Sequence, residues 1–420
     1  MHPIPFPQPD PTPLPLPFGV LKALLLITFG LHVFAVNVGV GGSILCVGLA
    51  LRARRPGSAA LAQIARTIAY VLPPAVTFAI TLGVAPLLFI QLLYGEVIYT
   101  STILLAAPWV LFIFLLMAGY TLLYRFTDGL KAGKPSLPVG IVSTLLLLSI
   151  GFLWTNNVTL MIAPERWSDL HLAAPHGGAL NLGDPAVVPR FLHMSTAMLA
   201  VAGILLAGLS VELEDDAHFD RALGRRIGLS VFAYATLGQI VVGPTTLLLQ
   251  RADVRGALLG GSKAATAALA TGVICGMAAM ITAFRGRDPA TGKNGVRLPL
   301  GLLIGAIGGM VLVRDFVRDF SLARHGYAAG NVATATDVAG TAALVAALVA
   351  WLVATRAMFS WVFAKKRIEP TLALEPAIPA PARPLPAAFT RTLASAEDSS
   401  RERAPTSRRS RGKKGGKRDG

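Results

Sequence analysis

Long apolar stretches alternate with short polar loops along most of the chain. Nine of these stretches hold about 20 or more residues with few charges, which is the length that an α-helix needs to cross a bilayer. We therefore predict an all-α fold, a polytopic transmembrane helix bundle of about nine helices. The predicted spans lie at about 21–51, 71–94, 100–124, 137–162, 189–211, 227–249, 264–284, 298–320 and 338–363.

The basic residues predict an orientation for this bundle. They concentrate in alternate loops, beginning with the arginine-rich loop 52–66, and such loops stay in the cytoplasm under the positive-inside rule. No Lys or Arg precedes Lys22, so nothing in the sequence holds the amino terminus in the cytoplasm. We expect an outside amino terminus and an inside carboxyl terminus.

Composition supports the membrane class. Hydrophobic residues make up 54% of the chain and charged residues 14%, whereas soluble domains carry about 25% charged residues. The net charge of +16 favours attraction to anionic membrane lipid, and no nucleic-acid partner is needed to explain it. We divide the chain into a Pro-rich outer segment (1–19), a transmembrane helical domain (20–367) and a basic cytoplasmic tail (368–420) that we expect to be disordered.

Two histidines lie inside predicted spans. His32 is in the first span and His193 begins the fifth, and ionisable residues in such positions usually face a cavity, a bundle interior or a cofactor. A neutral imidazole is a common haem-iron ligand, so both are candidate metal and haem ligands. The alternative is a histidine hydrogen-bonded to a neighbouring helix. Cys46 and Cys275 lack the spacing of a covalent haem attachment, which excludes a c-type haem.

Three arginines near the predicted outer ends are candidate contacts for haem propionates. Arg314 and Arg318 are four residues apart and share a helix face, and Arg190 lies at a similar depth. For Arg314 and Arg318, pairing with Asp315 and Asp319 is an equally good interpretation.

Other residues have simpler explanations. Core packing accounts best for Met194, Met198, Met277 and Met280, which are possible sulfur ligands. An interfacial aromatic belt accounts for Gln91, Tyr94, Glu96 and Tyr99, which could otherwise line a polar entry for a proton or quinol. We expect His171, His176 and His325 to lie in outer loops.

In this arrangement the chain resembles subunit I of the cytochrome bd quinol oxidases. Leu31-His32-Val33-Phe34 is similar to the family's ligand region in helix one, and Pro189-Arg190-Phe191-Leu192-His193 to the one at the start of helix five. Helices two and four add segments 77–85 and 154–157 to the resemblance, which covers about residues 21–249. It implies b-type haem, one or two per chain, in a bacterial inner (cytoplasmic) membrane.

The sequence also departs from that family. Spans three and nine lack internal acidic residues, whereas the family carries carboxylates there for proton delivery and the oxygen-reducing site. The expected function is therefore a haem b-binding electron-transfer subunit that passes electrons between quinol and a periplasmic redox partner without reducing oxygen. The partner is expected to be a c-type cytochrome or a second membrane subunit. The alternative is a cofactor-free structural or assembly subunit of a respiratory membrane complex.

Overall fold

The structure of the protein is a computed structural model that describes residues 12–212, 219–335 and 338–368. Within these ranges nine helices are long and apolar enough to cross a membrane. The predicted all-α polytopic bundle is thereby confirmed, and the chain is a multi-pass membrane protein. The helices are α1 (Phe18–Arg52), α2 (Ala59–Leu104), α3 (Ala106–Lys131), α4 (Leu137–Met161), α5 (Val187–Glu212), α6 (Arg221–Leu248), α7 (Lys263–Gly286), α8 (Asn294–Ala323) and α9 (Val338–Ile368).

The predicted termini are only partly described. The chain divides into two compact units, Met1–Val362 and Phe363–Gly420. Of the second unit the structure describes only residues 363–368, the end of α9. The predicted tail from residue 369 onward and residues 1–11 of the Pro-rich segment lie outside the described residues. Leu14 is buried, and its N–H donates to the Ala333 carbonyl at 2.8 Å, so this segment packs against the loop that follows α8. We call the end of the bundle near this contact the outer end, following the predicted orientation.

One predicted boundary coincides with a break in the structure. The second predicted span ends at residue 94, and Tyr94 is where the helical geometry of α2 is interrupted, with φ −138° and ψ 29°. A helical segment continues beyond this kink to Leu104, and α3 begins at Ala106, a few residues later than predicted. The segment after the kink contacts α4, because the Ser101 hydroxyl donates to Asn157 at 2.7 Å.

The middle of α1 packs closely against α5. Residues Asn37–Gly41 form a π-helical turn, and all five are buried. A Cβ atom on Gly41 would lie 1.9 Å from the Met198 carbonyl oxygen, so only glycine permits this approach. Small residues allow such close approach to a helix backbone, and at Gly41 the neighbour is the helix α5.

Small residues also join the helix pairs farther along the chain. Gly203 of α5 faces Gly228 of α6, and a Cβ atom on either would meet backbone atoms of the other helix. Gly309 of α8 likewise meets the backbone of Gly272 on α7. Without a hydrophobic driving force in lipid, van der Waals contact between closely packed helices supplies much of their association. The first five helices and the pairs α5–α6 and α7–α8 thus form a bundle that fixes the depth of His32 and His193.

Candidate functional site

The His32 side chain lies against α2. Its Nδ1 atom is 2.8 Å from the carbonyl oxygen of Ala79, and because a carbonyl only accepts, Nδ1 carries the proton. A Cβ atom on Gly83, one turn further along α2, would lie 2.8 Å from the imidazole, so glycine makes room for the ring. This hydrogen bond fixes the tautomer in which Nε2 keeps its lone pair, which is the form that binds a metal.

The His193 side chain lies against α6 instead. Its ring is next to Gly243, where a Cβ atom would stand 3.7 Å from Cε1. The Nδ1 atom is buried and has no hydrogen-bond partner among the described residues. The Gln239 amide donates to the backbone carbonyl of His193 at 2.9 Å. The other amide atom, Gln239 Oε1, is also buried and has no hydrogen-bond partner among the described residues.

The two imidazoles therefore face different helices. They lie on α1 and α5, which cross the membrane in the same direction and touch at Gly41 and Met198. His32 is nine residues before Gly41 and His193 five before Met198, so the two differ in depth by roughly one helical turn. The two rings are thus held by separate helix pairs, α1 with α2 and α5 with α6.

Arg190 and Arg314 make no ion pair with a carboxylate of the described residues. The Arg190 guanidinium donates to two neutral oxygens, Thr159 Oγ1 at 3.2 Å and Gln250 Oε1 at 2.8 Å. Arg314 stacks on the Phe29 ring, 4.1 Å from its centroid, and makes no hydrogen bond or ion pair within the described part of the chain. Phe29 is three residues before His32 on α1, so the Arg314 guanidinium lies near the His32 region.

Arg318 has a different environment. It forms an ion pair with Asp315, and it contacts the Tyr94 hydroxyl at 3.2 Å while stacking on the same ring. Of the two interpretations of the sequence, pairing along α8 is the one that the structure favours for Arg318. Its predicted contact with a haem propionate stays a prediction, but this guanidinium already has an anionic partner.

A charged cluster that the sequence did not predict surrounds this pair. Lys22 of α1 lies 3.0 Å from Asp315 Oδ2 and also pairs with Asp319. The Tyr94 hydroxyl donates to Asp319 at 2.7 Å and accepts from Lys22 at 2.8 Å. The cluster joins α1, α2 and α8 at the outer end. A lysine within an apolar span was the signal that could have revealed it, because such charges are usually paired.

The remaining candidates lie mostly where their simpler explanations place them. Met198 and Met280 are buried among apolar side chains, Met194 accepts a hydrogen bond from Thr155, and Met277 is on the exposed face of α7. Tyr99 is exposed, as an interfacial aromatic side chain would be, whereas Tyr94 is buried and belongs to the charged cluster with Lys22 and Asp319. In the outer loops His171 and His176 are exposed, and His325 lies 3.4 Å from Glu165.

A cleft of about 480 Å³ lies between α7 and α8. Its lining is of small and apolar residues, among them Ala264, Thr271, Gly305, Leu312 and Phe316, and none of the predicted site residues lines it. This cleft therefore adds nothing to the region around the two histidines.

No family model, no curated protein and no solved structure matches this chain. The membrane class thus rests on the nine spans themselves. The resemblance to cytochrome bd subunit I stays a prediction from the sequence.

Proposed function

We propose that the protein is a haem b-binding electron-transfer subunit of a bacterial inner membrane. It passes electrons between quinol and a periplasmic redox partner, either a c-type cytochrome or a second membrane subunit, without reducing oxygen. The haem, once bound, supplies a one-electron carrier. The protein supplies the ligands, their orientation and the surrounding charge.

The tautomer of His32 carries this proposal. Metal-bound histidines almost always donate their second N–H to a carbonyl, a carboxylate or water, and His32 donates to the Ala79 carbonyl. This tautomer leaves the Nε2 lone pair available to bind iron. A histidine that only joined two helices would make the same hydrogen bond but bind no haem, and the spectrum described below distinguishes the two.

The charges nearby fit the anionic edge of a haem. Arg190 and Arg314 hold positive charge near the outer end without a carboxylate within ion-pairing distance among the described residues. Unpaired charge is costly in a low-dielectric region, and a propionate carboxylate bound to a guanidinium would offset that cost. We assign propionate binding to Arg190 and Arg314, with His32 and His193 each as the ligand of its own haem.

The experiment is a reduced-minus-oxidised spectrum of protein purified after expression with ample haem. His32→Ala and His193→Ala should each lose the haem held by that histidine and keep the other. His171→Ala, at an exposed loop position, is the matched control and should keep both. Wild-type protein without a Soret or alpha band would reject the proposal.

The same variants test the structural alternative. A cofactor-free assembly subunit would leave its respiratory complex intact and active when both histidines are replaced. Loss of haem from the single variants, together with loss of electron transfer from quinol, would exclude that alternative.

A further inference from the structure

The two histidines differ in the partner of their Nδ1 atom. The His32 Nδ1–H donates directly to a backbone carbonyl, which fixes the plane of its ring. The His193 Nδ1 is buried and has no partner among the described residues. A buried polar atom left without a hydrogen bond costs about 1–3 kcal/mol, so such an atom calls for an explanation.

Gln239 provides the complementary group. Its Nε2 donates to the His193 carbonyl at 2.9 Å, which identifies Oε1 as the free end of the amide and places it beside the His193 backbone. Gly243, which touches the His193 ring, is one turn beyond Gln239 on α6. The ring and the amide thus lie on the same face of one helix. Gln239 Oε1 is likewise buried without a partner in the described ranges.

Nδ1 of His193 and Oε1 of Gln239 are complementary hydrogen-bonding groups. Nδ1–H is a donor when Nε2 binds iron, and Oε1 is an acceptor. A water molecule can accept from one and donate to the other, and buried waters typically satisfy polar groups in this way.

We propose that Gln239 is a positioning residue for His193 and acts through one bound water. The water accepts from Nδ1–H and donates to Gln239 Oε1, which holds the ring in the tautomer with a free Nε2. This inference rests on the proposed function, because it assigns to His193 the role of iron ligand. The water accepts the Nδ1–H hydrogen bond of His193, as the Ala79 carbonyl accepts that of His32.

The first test is the midpoint potential of the haem that is absent from His193→Ala. Gln239→Leu removes the acceptor and makes the imidazole a weaker electron donor, so the potential should rise and haem binding should weaken by about 10- to 100-fold. Gln239→Glu supplies a stronger acceptor, so the potential should fall below that of the wild type. Gln91→Leu replaces a half-buried amide on α2 and should leave the potential unchanged.

Opposite shifts in the two Gln239 variants are the expected signature. A residue with only a packing role would not produce shifts of opposite sign. If both variants behave like Gln91→Leu while the His193-dependent haem is present, this inference is wrong and the proposed function stands. Wild-type protein without haem would instead reject the proposed function.

A second measurement decides the inference independently of bound haem. In ¹⁵N NMR spectra of histidine-labelled full-length protein in lipid bilayers, the signal absent from His193→Ala identifies this ring. We expect a protonated Nδ1 in contact with water, and loss of that water contact in Gln239→Leu. A proton on Nε2 instead, or a water contact that survives Gln239→Leu, would overturn the inference.

Discussion

The regions around His32 and His193 hold the same side chain by different means, at depths about one helical turn apart. His32 is bound to a backbone carbonyl of α2 and packs against Gly83, and its helix is tied at the outer end by Lys22. The His193 ring contacts Gly243 loosely, and the Gln239 amide and the Thr196 hydroxyl both donate to its backbone carbonyl. The first region is therefore fixed by direct contacts, whereas the second leaves two polar atoms to be satisfied by something other than the described residues.

The largest expected effect comes from the cluster that ties α1 to α8. Arg318→Met leaves Lys22 as the one cation of the cluster for two carboxylates, Asp319 and Asp315, the latter only 7% exposed. Breaking a buried ion pair from one side typically costs about 3–5 kcal/mol, because a charge is left uncompensated. We expect a fall of that size in the free energy of unfolding in detergent.

Arg314→Met is the matched control for that change, one turn away on the same helix. Arg314 has no ion-pair partner among the described residues, so its loss should lower stability far less. It should instead weaken haem retention, because a cation near the propionates is removed. Equal stability losses in the two variants would show that the cluster has no special role in fixing α1.

A smaller effect distinguishes the two imidazole pockets directly. In Gly83→Ala the new methyl group would lie 2.8 Å from the His32 ring, which must move and release the Ala79 carbonyl. Overpacking of this kind costs about 1–3 kcal/mol. We expect the haem of His32 to be lost or altered in the difference spectrum.

Gly243→Ala is the corresponding change beside His193. Its methyl group would lie 3.7 Å from the ring, which is ordinary van der Waals contact, so the haem of His193 should be retained. If Gly243→Ala proved as damaging as Gly83→Ala, the contrast between a tight and a loose pocket would be wrong.

The smallest effect is expected outside both regions. Glu165 pairs with Arg251 at 3.1 Å, and both side chains are more than 40% exposed. Exposed pairs contribute about 0–1 kcal/mol, so Glu165→Gln should change thermal stability little and leave both haem bands as in the wild type. A change in either band would mean that the outer loops help to hold the haem regions.

The sequence predicted the spans well because hydrocarbon imposes a simple rule. Every lipid-exposed backbone group must be satisfied within the segment, so long apolar runs become helices whatever their partners. Local polarity also predicted the break after the second span, and α2 is kinked there at Tyr94. It did not predict the helical segment that follows the kink up to Leu104, which contacts α4 through Ser101 and Asn157.

Side-chain partners were less predictable. The sequence left open whether Arg314 and Arg318 pair with aspartates or hold a cofactor, and the structure separates the two. Lys22 contacts Tyr94, 72 residues away in the sequence, and Asp319, 297 residues away. Helical periodicity carries no information over such separations. The ligand roles of His32 and His193 stay predictions until haem is measured.

By itself the sequence determined the membrane class and the positions of nine helices, because chain hydrophobicity and length decide whether a segment enters lipid. It also placed two imidazoles inside those helices. Only the tertiary structure decided that one ring meets a carbonyl of α2 and the other an amide of α6, and that Arg318 is paired while Arg314 is not. These outcomes depend on which helix faces lie together, and small residues such as Gly41 and Gly83 set that packing through steric contact.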